Sequence, residues 1–107
     1  MASSYKNAKV DLTTTDVTTL YTAPAATPAS FRSLIVADDS GSTSTITVTL
    51  TDSAAAVFVI YNVKATSANG TLELLTQPLV VQESEILKVT AANANRLHVV
   101  GSYLETT

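Results

Sequence analysis

A chain of 107 residues has room for one domain around one core, and at this size the buried fraction is modest, so burial against other subunits would add usefully to stability. Only 14% of the residues are charged, against roughly 25% in an ordinary soluble domain; the net charge is −3, and the six cations Lys6, Lys9, Arg32, Lys64, Lys88 and Arg96 are scattered, which excludes the basic footprint of a nucleic-acid or anionic-membrane partner. Without cysteine there is no disulfide framework, no thiolate nucleophile and no thiolate zinc site.

Thr and Val are abundant and the strong helix formers scarce, so the chain reads as all-β, a single antiparallel two-sheet sandwich of jelly-roll or Ig-like type with eight or nine short strands over residues 1–107. Residues 1–7 are polar, without the basic start and apolar run of an export signal, and no apolar run nears the roughly 20 residues of a membrane span. The expectation is a protein made in a cytoplasm, with residues 1–5 as a flexible arm.

The first strand is predicted over residues 6–12 and the second over 16–22, where Val17, Leu20 and Tyr21 are the apolar positions. Pro24 and Pro28 lack the ladder donor, so residues 23–29 form an ordered loop and not a central strand. Residues 31–37 follow as a strand whose centre, Leu34-Ile35-Val36, is apolar on both faces. Asp38-Asp39-Ser40-Gly41-Ser42 gives a turn, Asp and Ser bonding back to nearby backbone and Gly41 tolerating positive φ. In residues 45–51, Ile46, Val48 and Leu50 alternate with Thr45, Thr47, Thr49 and Thr51, so one face is buried and the other is a threonine ladder.

The next strand, residues 56–63, places Phe58 and Ile60 on one face and Val57, Val59 and Tyr61 on the other. Ser67-Ala68-Asn69-Gly70 reads as a turn whose Asn-Gly pair is the preferred two-residue hairpin type. Strands are then predicted over 71–76, over 79–81 at an edge after Pro78, over 85–91, and over 96–105 with Leu97, Val99, Gly101 and Tyr103 alternating against Arg96, His98, Val100, Ser102 and Leu104.

Catalysis finds no strong candidate. His98 is the sole histidine, so any His-based metal site or Ser-His-Asp arrangement would depend wholly on it, and a strand-surface histidine is the favoured reading. Residues 38–42 lack the ligand alternation and distal Glu of a calcium loop, and Asn69-Gly70-Thr71 matches the glycosylation triplet but suits a turn better. No enzyme activity, metal or cofactor is expected. The informative feature is apolar character on both faces of Leu34-Ile35-Val36, Val57-Phe58-Val59-Ile60-Tyr61 and Val99-Val100, where a sandwich strand needs one. Either loops cover the second face or another subunit does.

Taken in order, Val17-Thr18-Thr19-Leu20-Tyr21-Thr22-Ala23-Pro24-Ala25, Phe31-Arg32-Ser33-Leu34-Ile35-Val36-Ala37, Thr45-Ile46-Thr47-Val48-Thr49-Leu50, Asn69-Gly70-Thr71-Leu72-Glu73-Leu74, Glu85-Ile86-Leu87-Lys88-Val89-Thr90-Ala91 and Val99-Val100-Gly101-Ser102-Tyr103-Leu104-Glu105 resemble a group of small virion proteins of tailed bacteriophages, over nearly the whole chain. The resemblance implies a non-catalytic virion sandwich, a head decoration or cement protein that binds neighbouring subunits of the major capsid protein, with a homo-oligomer such as a trimer among its states. A neck, tail or baseplate component and a glycan-binding tail-fibre or adhesin module are the alternatives. On the decoration reading, Val57, Val59 and Tyr61 serve self-association, while residues 5–10 (Tyr5, Lys6 and Val10 among them) or the loop with Pro24 and Pro28 grip the shell.

Overall fold

The computed structural model describes residues 3–106. Among these are nine strands and no helix: β1 (Ser3–Leu12), β2 (Thr18–Thr22), β3 (Ala29–Asp38), β4 (Thr45–Thr51), β5 (Val57–Ala65), β6 (Thr71–Glu73), β7 (Leu79–Val81), β8 (Ile86–Ala91) and β9 (Leu97–Thr106). They form two antiparallel sheets, ordered β1-β9-β3-β6 with β7 also on β3, and β2-β8-β4-β5. Both β6 and β7 pair with β3, at Ile35–Ala37 and at Ala29–Phe31, so they act as one interrupted edge strand. Glu73 bridges the interruption: its carboxylate accepts the Leu34 amide at 2.7 Å and the Ser33 hydroxyl.

Only β4 and β5 are joined as a hairpin, and β6 and β7 share an edge. Every other connection crosses between the sheets, which is the jelly-roll arrangement and resolves the choice against the Ig-like alternative. The turns that looked like hairpin signals are therefore crossovers. Asn69-Gly70 does turn the chain, with Asn69 at φ 54° and the Gly70 amide bonded to the Ser67 carbonyl at 2.9 Å, but it carries β5 of one sheet into β6 of the other. Asp38 links the two crossovers on this end: its carboxylate holds the Ser40 amide at 3.0 Å and the Ser40 hydroxyl at 2.8 Å, with Thr66 Oγ1 3.3 Å away.

The core lies between the sheets. Leu34 and Val36 of β3 and Leu97 and Val99 of β9 come from one side, Ile46, Val48, Leu87 and Val89 from the other, and all are sealed from solvent. At one end Phe31, Tyr21 and Tyr103 cluster with centroids 4.5–5.3 Å apart. Their size is accommodated by Gly101, where a Cβ would sit 2.6 Å from the Phe31 ring. A radius of gyration of 13.6 Å matches one compact body of this length.

The predicted alternation holds in β8 and β9 and in β4 as far as Thr49; at the end of β4 Thr51 is buried and Leu50 only partly so. The expected arm does not: β1 begins at Ser3, and Ser3, Ser4 and Tyr5 pair with Thr106, Glu105 and Leu104 of β9. Met1 and Ala2 lie outside the described residues. In the β2–β3 loop the Ala23 amide bonds Glu85 O at 2.9 Å and the Ala26 amide bonds Glu83 Oε2 at 2.5 Å, so the segment is ordered as expected, closing one end of the sandwich.

Candidate interaction surface

β5 is an edge strand whose only ladder partner among the described residues is β4. Its register starts regularly, with Val57 opposite Thr51, Phe58 opposite Leu50 and Val59 opposite Thr49. Bulges then intervene, setting Tyr61 opposite Val48 and Lys64 opposite Ile46. A bulge adds one residue and reverses which side every later side chain faces. Val57 and Val59 therefore lie on the outer face beside the threonines, as expected, whereas Tyr61 turns inward, packs against the core and donates its hydroxyl to the Leu74 carbonyl. The grouping of Tyr61 with Val57 and Val59 on one face is thus corrected.

Alternation missed Phe58. It shares the inward side with Leu50 yet is 56% exposed, because the first sheet does not cover it; Val57 at 60%, Val59 at 57% and Val63 at 60% complete an uncovered apolar strip. No local pattern signals this, since it follows from the strand's place at the end of the sheet.

The segments expected to grip a partner lie on the opposite side, where β1 and β2 are neighbouring edges. Tyr5 is 80% exposed on the outer face, beside Leu104. Val10 faces inward opposite Val99 and is half-buried. Lys6 is engaged: its Nζ is 2.7 Å from Glu105 Oε1, and Glu105 Oε2 accepts the Tyr21 hydroxyl at 2.5 Å. The Lys6 ammonium and the Tyr21 hydroxyl hold the Glu105 carboxyl below its usual range, while burial, then the bond to Glu105, pushes the Tyr21 phenol up. Pro24 and Pro28 are exposed on their loop. The structure does not bring this set together with Val57 and Val59.

His98 lies on the outer face of the first sheet between two aspartates, Nε2 3.1 Å from Asp11 Oδ1 and Nδ1 3.7 Å from Asp39 Oδ2, all three side chains well exposed. A catalytic imidazole needs one nitrogen oriented by a carboxylate and the other free for a nucleophile. Here both face carboxylates. Among the described residues no group of three or more His, Cys, Asp or Glu is arranged to hold a metal ion. The tyrosines do not gather into a sugar-stacking platform either, because Tyr21 and Tyr103 are core residues. The outer face of the second sheet carries a groove of about 470 Å³, lined by Thr47, Thr49, Thr51 and Thr90 with Lys88, and by Val17 and Val57. The sequence matches no protein-family model, and no curated protein matches it.

Proposed function

We propose that the chain is a non-enzymatic structural protein of a virion, a decoration (cement) protein that binds neighbouring subunits of the capsid shell of a tailed bacteriophage. The observation that carries the assembly reading is the edge strand β5, uncharged from Val57 to Val63, on which Val57, Phe58 and Val59 are each more than half exposed. Water-exposed apolar strand edges are aggregation hazards that folded proteins ordinarily cover or blunt with charge, so an edge left apolar is best explained by a protein partner. The jelly roll supports the reading by analogy, being shared by viral capsid domains, though lectins and cupins also use it. The order of segments that resembles phage virion proteins supplies the particular setting.

Cementing a shell requires many modest contacts repeated across subunit seams, which a sparsely charged, hydroxyl-rich surface can supply. Purified shells lacking the chain should bind it saturably on mixing and then resist heat or pressure better, and Val57→Glu should weaken that binding. Shells that neither bind the folded chain nor gain stability from it would overturn the proposal.

A further inference from the structure

We infer that β5 pairs antiparallel with β5 of a second copy of this chain about a two-fold axis, fusing the two four-stranded sheets into one of eight strands. The inference deepens the assembly reading and rests on it for its biological setting. Three observations point to a second copy in preference to another partner.

The first is charge. Within the β4–β5 hairpin the only charged residues are Asp52 in the turn and Lys64 near the end of β5. Asp52 Oδ1 accepts the Ala54 and Ala56 amides, each at 2.9 Å, which fixes the carboxylate beside the start of β5. Antiparallel pairing runs the Tyr61-to-Lys64 end of one strand past the Asp52-to-Ala56 turn of the other. Each Lys64 then comes alongside the partner copy's Asp52, and two opposite-charge contacts flank an apolar centre.

The second is the match of like with like. The strip from Val57 to Val63 holds no charge, so it is best matched by an uncharged strand that brings further apolar surface, and a two-fold sets the same strip against itself. Phe58 is exposed on the inward side where the first sheet fails to cover it; a second sandwich brings its own Phe58 to that side. The edge β1, by contrast, carries Lys6, Lys9 and Asp11, so joining β5 to it would set charged positions against the apolar strip in a head-to-tail contact without two-fold symmetry.

The third is where the edge is blunted. The bulges and the positive φ of Val63 (51°) disrupt the C-terminal half of β5, while residues 57–59 keep regular ladder geometry. Pairing is thus confined and its register limited. With regular pairing confined to the first residues of β5, the contact falls below the ~1,200–2,000 Å² of stable interfaces, so a weak, reversible dimer in the micromolar range or above is expected.

Sedimentation equilibrium of the full chain across about 1–500 µM, a range that brackets micromolar affinity, tests this. A reversible monomer–dimer equilibrium is expected, abolished by Val59→Lys in a variant whose circular dichroism and melting are otherwise those of the parent. Lys64→Glu should weaken the dimer about tenfold, and adding Asp52→Asn, which keeps the Oδ1 acceptor, should restore part of the loss. A chain that stays monomeric throughout, a trimer, or a dimer indifferent to Val59→Lys overturns the inference. Shell binding read on the same samples separates the two claims: a monomer that still binds shells overturns only the dimer, and a dimer that never binds them overturns only the virion role.

Discussion

At Gly101 the absence of a side chain is a packing requirement. Phe31 Cε2 and Cδ2 would stand 2.6 and 3.1 Å from a Cβ there, and Leu34 Cδ1 lies behind them. Phe31 is fully buried within the aromatic cluster and cannot withdraw, so Gly101→Ala should cost about 1–3 kcal/mol through forced repacking, read as a lower urea midpoint with an unchanged slope. Glu105 gives a pH dependence of definite sign. Its carboxyl titrates below the usual 4.5 in the folded chain because Lys6 and Tyr21 bond to the charged form. Its contribution to stability is therefore complete above 4.5 and lost as pH falls through the depressed value. Asp38 and Glu73 act in the same direction: burial alone would raise both, but hydrogen bonds from Ser40 and Thr66 to the first, and from Ser33 and the Leu34 amide to the second, outweigh it. Glu105→Gln should lower the melting temperature at neutral pH and converge with the parent well below pH 4.5.

At the scale of elements, the threonine–aliphatic alternation of β4 and the alternation of Leu97, Val99, Gly101 and Tyr103 against His98, Val100, Ser102 and Leu104 in β9 are legible because each strand has one face on the core. β5 was not legible in the same way. Its boundaries and apolar character followed from composition, but the bulges that turn Tyr61 inward are set by pairing with β4, and the exposure of Phe58 by what the opposite sheet leaves uncovered. The polar start of β1 reads as an arm ahead of a short strand, whereas pairing with β9 and the Lys6–Glu105 contact extend the strand to Ser3. Deleting residues 1–10 consequently removes most of an edge strand. It should lower unfolding free energy by about 3 kcal/mol or more, measured by chemical denaturation, so loss of partner binding in such a truncation would report unfolding as much as a lost grip. Tyr5→Ser, at an exposed outer position, is the cleaner probe of that surface.

For the whole molecule, the two-sheet sandwich was readable from strand count and spacing, but the jelly-roll order was not. The turns at Asp38 and at Asn69-Gly70 carry the same residues whether they close a hairpin or cross to the other sheet, and only long-range pairing decides. Of the candidate surface, Val57 and Val59 were found in the sequence, while Phe58, Asp52 and Lys64 emerge only once β5 is placed at an edge. The arrangement that results has an apolar edge on one side and the Tyr5 and loop surfaces on the other, which suits a subunit that joins its neighbours and a shell at the same time. Quantitative mass spectrometry of virus particles purified from the source of the chain tests the proposed shell role most directly: hundreds of copies per particle are expected of a shell protein, whereas a chain missing from the particles, or present at only six or twelve copies as in a neck or tail ring, would contradict it.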